Sequence, residues 1–292
     1  MLQAALFLVL RAALLQASAA PPLELRVGGQ WVSWRGYVPL ATATRDSLLA
    51  RAVSWRDSQP GLRVGDFEVR TAEGLLRNSV AVVELDPARF RFALASAPDW
   101  ARRSADEWLR RDSTLVLAVN TGLFRENGTP QGLVLVEGER RSGLAGWLDA
   151  VVDLDEAGPR TTDVAGARGL GGVSAFQTLP WLVRGGRVVF GVSSGARLSR
   201  AHRDRRITLC LGDDGLVRLL LSNFEVFGAT AGRIPVGLTL PEQAAVAAGA
   251  GCRDAVALDG GISAQVAVRG ATGLIRMPGW RKVPLMMVVR RR

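Results

Sequence analysis

Short strand-forming segments separated by turn residues follow one another along most of the chain, and their close spacing constrains the fold more than any other feature. Apolar and polar residues alternate over 65–70 and again over 90–94, while 80–85 is almost wholly apolar. Further on, two pairs of apolar segments flank glycine-containing turns at 184–187 and 212–215. Short spacing of this kind favours antiparallel hairpins, because a parallel crossover needs a much longer connection.

Two stretches carry helix signals between these strands. Ser104 and Glu107 form a capping-box pattern at the start of a helix that reaches Arg111, and Thr239 and Glu242 repeat the pattern before an alanine-rich run. We therefore predict an α+β fold, a single large domain on a mixed, largely antiparallel β-sheet with a few inserted helices. The chain divides into a signal peptide over 1–19, an N-terminal extension over 20–59 and the main domain over 60–292. The tryptophan-bearing stretch 23–70 is interpreted as irregular up to the strand at 65–70. The glycine-rich stretch 163–172 is interpreted as a loop, and 132–136 as a strand returning after the Asn127-Gly128 turn.

Charge is the most unusual aspect of the composition. The 292 residues carry a net charge of +10, from 37 basic against 27 acidic residues, and only Lys282 is a lysine. The arginines are spread along the chain, and aromatic residues make up only 6%. Nucleic-acid-binding proteins usually combine clustered basic residues with aromatic ones. We therefore expect no nucleic-acid partner and interpret the short clusters at 203–206 and 290–292 as solvated basic surface.

The N-terminus indicates export. The segment 2–15 is almost wholly apolar, and Ala17-Ser18-Ala19 matches the small-x-small pattern of a signal-peptidase site. The alternative is an apolar N-terminal helix of a soluble protein, since Arg11 interrupts the run. No later segment has 18 uninterrupted apolar residues, so we expect no integral membrane segment beyond the signal peptide and place the protein in the periplasm, the cell envelope or the medium.

Cysteine and histidine are scarce. Cys210 and Cys252 can pair if the protein is exported, or can remain two buried thiols, and the sequence alone leaves both open. His202 is the only histidine, which excludes a site with several histidine ligands. We expect no metal and no other cofactor.

The stretch 255–265 is the strongest single candidate for a site. An apolar strand ends at Asp259, and Gly260, Gly261 and then Ser263 follow. A carboxylate at a strand end, followed by glycines that allow close approach, is one way to build a site. The alternative is a simple turn in which Asp259 bonds its own backbone.

Four segments each end or begin a strand with polar residues, and together they cover roughly 60–290. They are Asn120-Thr121-Gly122-Leu123-Phe124 with Gly132-Leu133, Gln177 through Pro180 to Leu182, the strand led by Arg206, and Gly237-Leu238-Thr239 running on to Leu258-Asp259-Gly260-Gly261-Ile262-Ser263. In order and spacing, these segments resemble the phosphodiester glycosidase family. This chain departs from the family pattern at 178–179, Ala257, Ile262 and Cys210, which leaves the sugar and the aglycone open.

The resemblance implies a hydrolase that cleaves the glycosidic bond of a sugar-1-phosphodiester, similar to a GlcNAc-1-phosphodiester. Such cleavage usually needs two carboxylates, and Asp259 and Glu126 are the candidates. The expected substrate ligands are amides for sugar hydroxyls, a guanidinium for phosphate, a hydroxyl and flexible glycines. They are Asn120, Gly122, Gln177, Arg206, Gly260, Gly261 and Ser263.

Each of these residues also has a structural interpretation. Gln177 can satisfy buried backbone groups, Asn120 can adopt a turn conformation, and Arg206 can pair with Asp213 at the surface. Two further functions stay open beside the enzyme: an envelope protein of the same fold that binds glycan or phosphoglycan without catalysis, and a basic nucleic-acid-binding protein, which no motif supports.

Overall fold

The computed structural model describes residues 22–71, 77–97, 99–170, 173–193, 195, 198–224 and 237–292. The predicted signal peptide lies outside these residues. Within them, no helix is long and apolar enough to cross a bilayer.

Three sheets contain the strands, and every pairing between the named strands is antiparallel. The large sheet has ten strands, in the order β14-β13-β17-β15-β16-β5-β4-β1-β2, with β3 also paired to β4. Its strands are β1 (Leu23–Val27), β2 (Gln30–Ser33), β3 (Ser54–Gln59), β4 (Leu62–Thr71), β5 (Arg77–Leu85), β13 (Trp181–Arg184), β14 (Arg187–Val188), β15 (Arg206–Gly212), β16 (Val217–Phe224) and β17 (Cys252–Ala257).

The other two sheets have five strands each. The second sheet runs in the order β11-β10-β12-β8-β9, and the third in the order β19-β18-β7-β20-β6. The second contains β8 (Val134–Val136), β9 (Glu139–Ser142), β10 (Ala150–Asp155), β11 (Gly158–Thr162) and β12 (Ser174–Thr178). The third contains β6 (Phe90–Ser96), β7 (Leu115–Asn120), β18 (Val266–Arg269), β19 (Leu274–Met277) and β20 (Leu285–Arg291).

Four α-helices are inserted among the strands of the described ranges: α1 (Ser47–Ala52), α2 (Ala105–Arg111), α3 (Val164–Ala167) and α4 (Leu240–Gly249). The predicted α+β class is confirmed, and so are both hairpins, β13–β14 and β15–β16.

The large sheet separates two apolar cores, because its side chains alternate between its faces. In β15, Leu209 and Leu211 point into a core that the second and third sheets also enclose. Cys210, between them, points to the opposite core, which α1 and α4 cover. The sheet is therefore buried on both faces where β15 and β17 run.

Helix α4 forms as its sequence predicts. The Thr239 hydroxyl accepts a hydrogen bond from the N–H of Glu242, and the Glu242 carboxylate accepts one from the N–H of Thr239. Every residue of α4 is buried, and its alanines let it lie close to the sheet. Gly251, with φ of +73°, lies between the end of the helix and the start of β17 and turns the chain there.

One disulfide joins neighbouring strands of the large sheet. Cys210 in β15 and Cys252 at the start of β17 are bonded. Of the two states that the sequence left open, the pair is the one found.

Three local predictions were wrong. The turn at Gly128 is present, but β7 and β8 lie in different sheets and do not form a hairpin. The reason is that β7 is buried between β18 and β20 and has no free edge for a third partner. The glycine-rich stretch 163–172 contains α3, since the Asp163 side chain accepts a hydrogen bond from the N–H of Gly166. The tryptophan-bearing residues 23–59 form β1–β3 and α1 rather than an irregular segment.

Candidate active site

The end of β17 is held by main-chain hydrogen bonds from the ends of other strands. The N–H of Asp259 donates to the carbonyl of Thr121, just after β7, at 2.7 Å. The N–H of Leu258 donates to the carbonyl of Ile207 in β15 at 2.9 Å. These bonds bring β7, β15 and β17 together at one point, as the sequence prediction requires.

Asn120 fixes the same point through its side chain. Its Nδ2 donates to the carbonyl of Asp259 at 2.5 Å, and its Oδ1 accepts from the N–H of Gln265 at 2.8 Å. The side chain is almost fully buried. Asn120 therefore bridges the two ends of the 259–265 turn, and contact with a substrate stays a prediction.

The carboxyl group of Asp259 is largely withdrawn from water. Burial raises its pKa to about 7, and the negative charge of Asp204 acts in the same direction. A hydrogen bond with the Ser263 side chain and the positive charge of Arg281 lower the pKa by less. Asp259 consequently holds its proton up to near-neutral pH, as a general acid must.

Asp204 lies in the loop before β15 and faces the glycine turn. Its Oδ1 accepts the N–H of Arg205 at 2.9 Å, and its Oδ2 lies 3.6 Å from His202 Nε2. Burial raises its pKa, while the charges of Arg206 and His202 oppose that rise by favouring the ionised form. Asp259 and Asp204 are thus two neighbouring carboxyl groups with different electrostatic surroundings.

A cleft of about 280 Å³ contains both carboxyl groups. Leu123 and Leu240 contribute apolar walls, and His202 and Arg206 add polar groups. The cleft therefore combines two acids, a fixed positive charge and apolar surface, as sites for small molecules usually do.

Arg206 has part of its hydrogen-bonding capacity occupied. Its Nε donates to the carbonyl of Leu238 at 3.2 Å, and its Nη2 to the carbonyl of His202 at 2.8 Å. It is not paired with Asp213. Its charge faces Asp204, and phosphate binding through its remaining N–H groups stays a prediction.

Gln177 is bonded on all sides by backbone. Its Oε1 accepts the N–H groups of Leu133 and Ala145, and its Nε2 donates to the carbonyls of Ala145 and Leu148. These four bonds use the full capacity of a glutamine amide. The structural interpretation of Gln177 therefore fits the geometry, and its role in substrate binding stays a prediction that the geometry does not favour.

The glycines are needed for close approach. A Cβ atom on Gly122 would overlap the carbonyl oxygen of Gln177, and one on Gly260 would lie 2.6 Å from the carbonyl oxygen of Arg205. Gly261 has φ of +60°, and a Cβ atom there would lie 2.9 Å from Asp204 Oδ2. Its N–H donates to the carbonyl of Arg205, so this N–H is not free to bind an oxyanion.

Residues 113–290, more than half of the chain, match the family model described as phosphodiester glycosidase. The chain belongs to the phosphodiester glycosidase family. No curated protein sequence matches it.

Two solved structures share this fold. A hypothetical protein from Synechocystis superposes with a TM-score of 0.63 at 16% identity, over 82% of this chain and 64% of that one. This chain therefore spans less than two thirds of that protein. The catalytic domain of zebrafish N-acetylglucosamine-1-phosphodiester alpha-N-acetylglucosaminidase, auto-inhibited by its pro-peptide, superposes with a TM-score of 0.60 at 15% identity, over 86% of this chain and 87% of that one. At these identities the likeness shows the fold.

The second predicted acid of this family member, Glu126, is exposed in the loop after Phe124 and does not line the cleft. Asp204 occupies the position beside Asp259 instead. Glu126 as a catalytic residue stays a prediction that the geometry does not favour. Among the described residues, no group of three or more histidine, cysteine, aspartate or glutamate side chains could hold a metal ion.

Sequence reasoning missed Asp204 because it lies inside the arginine cluster 203–206. The interpretation of that cluster as solvated surface was wrong: Arg203 pairs with Glu242 at 2.8 Å, Arg205 is 1% exposed, and Arg206 faces the cleft. A signal was available, since Asp204 stands two residues before the strand led by Arg206 and so lies at the end of that strand.

Proposed function

We propose that this member of the family is a hydrolase that cleaves the glycosidic bond of a sugar-1-phosphodiester, with a GlcNAc-1-phosphodiester as the model substrate. The observation that carries the proposal is the pair of carboxyl groups in one cleft. Asp259 retains its proton near neutral pH, whereas Asp204 faces the positive charge of Arg206. A protonated acid with a second carboxyl group in the same cleft is the arrangement that glycoside hydrolysis requires.

In the proposed reaction, Asp259 donates its proton to the phosphate oxygen as the bond from that oxygen to the sugar C1 breaks. Asp204 assists the arrival of water at C1, and the proton of that water passes to a carboxylate. The products are the free sugar and a phosphomonoester. Ser263 keeps the Asp259 carboxyl in place through its hydrogen bond, as a positioning residue.

The test is sugar release from a panel of sugar-1-phosphodiesters. Asp259→Asn and Asp204→Asn should each lower the rate by about 10²-fold or more, the usual contribution of acid–base catalysis. Asp213→Asn is the matched control, because Asp213 is exposed in the β15–β16 turn and should leave the rate unchanged.

If Asp259→Asn releases sugar as fast as the wild type, the assignment of Asp259 as the acid is contradicted. Binding of the phosphodiesters without any release would instead indicate the non-catalytic glycan-binding protein.

We also propose that the protein acts outside the cytoplasm, in the cell envelope. The disulfide between Cys210 and Cys252 supports this, because such bonds persist in oxidising compartments. The apolar segment 2–15 and the small-x-small pattern after it support it too. Fractionation of the native host should find the protein outside the cytoplasm with its N-terminus cleaved near residue 19, and an intact chain in the cytosol would contradict the proposal.

A further inference from the structure

Two arginines lie over the aromatic ring of Phe124, four residues after the end of β7. The guanidinium of Arg281 lies 5.0 Å from the ring centroid of Phe124, and that of Arg102 lies 5.6 Å from the same ring. Within the described part of the chain, neither guanidinium makes a hydrogen bond or an ion pair. Most other arginines near the turn are committed: Arg206 binds two carbonyls, and Arg205 binds Asn223 and Pro278.

The backbone fixes Arg281 at the edge of the turn that carries Asp259. Its N–H donates to the carbonyl of Ile262 at 3.0 Å, and its carbonyl accepts the Nε2 of Gln265 at 2.8 Å. Its charge is near enough to lower the pKa of Asp259. Arg281 therefore lies within electrostatic reach of the proposed acid.

Phe124 contacts both arginines and directly follows Leu123, which lines the cleft. Its ring packs against the apolar cluster under α2. An aromatic ring that is held in this way orients a guanidinium over its face. The N–H groups at the edge of the guanidinium are then free to bind an anion.

We propose that Arg281 and Arg102, oriented by Phe124, form the subsite that binds the anionic phosphate of the substrate next to Asp259. This inference rests on the proposed function for the identity of the anion. Two guanidinium groups that make no ion pair within the described residues complement the negative charge of a phosphodiester. Arg206, whose N–H groups are partly occupied, then opposes the rise that burial causes in the pKa of Asp204.

The first test uses inorganic phosphate as the probe and needs no turnover. Phosphate binding is measured by titration calorimetry at constant ionic strength for the wild type, Arg281→Met and Arg102→Met. Each substitution should weaken binding about tenfold or more, since a charge-assisted hydrogen bond is lost. Arg103→Met is the matched control, because the Arg103 guanidinium lies 4.8 Å from the Trp108 ring centroid instead, and it should bind like the wild type.

Equal binding by the wild type and both variants would overturn the subsite. Equal weakening by Arg103→Met would overturn it too, because the effect would then reflect net charge alone. Thermal unfolding checks that the variants are folded, and Arg281→Lys, which keeps the charge but loses the planar fork, carries the test if Arg281→Met does not fold.

The second test separates the subsite from the proposed function. With a sugar-1-phosphodiester, Arg281→Met should raise KM about tenfold, whereas with an uncharged glycoside of the same sugar KM should not change. Phosphate binding that depends on Arg281, in a protein that releases no sugar, would keep the subsite and refute the hydrolase. If the protein releases sugar but Arg281→Met binds phosphate as tightly as the wild type, the hydrolase is kept and the subsite is refuted.

Discussion

The proton on Asp259 should set how the proposed hydrolysis depends on pH. Burial raises the pKa of this carboxyl to about 7, so the acid form is present below that pH and disappears as the pH rises through it. We expect kcat/KM to fall above about pH 7, which a pH–rate profile with a sugar-1-phosphodiester measures. A rate that stays constant from pH 6 to 9 would contradict the role of Asp259 as the acid.

Two neighbours of Asp259 should move its pKa in opposite directions. The Ser263 hydrogen bond favours the ionised carboxylate, so Ser263→Ala should raise the pKa. The negative charge of Asp204 disfavours it, so Asp204→Asn should lower the pKa. Carbon-13 NMR titration of the aspartate carboxyl groups reports both shifts without any turnover. Shifts of the same sign in both variants would show that this electrostatic description is wrong.

Among the elements of the fold, the short turn over 260–263 gives the sharpest prediction. Gly261→Ala places a Cβ atom in a left-handed conformation and pushes it against the Asp204 carboxylate. Gly215, in the β15–β16 turn, has φ of +77° and no atom within 4 Å of such a Cβ. Both substitutions should lower the free energy of unfolding by about 1 kcal/mol, the cost of that conformation. Only Gly261→Ala should also reduce the rate of hydrolysis.

Chemical denaturation and rate measurements on the two variants provide the comparison. Equal rates for Gly261→Ala and Gly215→Ala would mean that the position of Asp204 does not matter for the reaction.

The sequence predicts elements well where local chemistry decides them. Thr239 and Glu242 cap α4, and the glycine-containing turns mark both hairpins, because caps and turns depend on residues a few positions apart. It fails where partners are distant. The strands β7 and β8 are consecutive in the chain, yet a hairpin between them is prevented by β18 and β20, which lie more than 100 residues further along.

In the candidate site too, local features could be predicted from the sequence and features that depend on distant residues could not. Asp259 stands out in the sequence because a carboxylate ends an apolar strand. Asp204 and Arg281 do not, since each takes its meaning from residues that only the folded chain brings near. The family resemblance predicts Gln177 as a ligand, and its local sequence does not identify the four backbone groups that surround it.

For the whole molecule, the disulfide should contribute strongly to stability. Cys210 and Cys252 are 42 residues apart, and a bond that closes a loop of this length stabilises a protein by roughly 3–4 kcal/mol through the unfolded chain. Unfolding in denaturant with and without a thiol reductant should show a loss of about that size. A variant with both cysteines replaced by alanine should not respond to the reductant, and an equal response would trace the effect to something other than this bond.

Main-chain hydrogen bonds hold the end of β17, and this affects which substitutions the sequence can accept. The amide of Asp259 and the carbonyl of Thr121 are present whatever side chains surround them, so neutral substitutions can accumulate while the acid keeps its position. Only a few places depend on side-chain identity, such as Asn120 and the two glycines of the turn. A backbone that tolerates such substitutions is compatible with a shared fold at 15–16% identity.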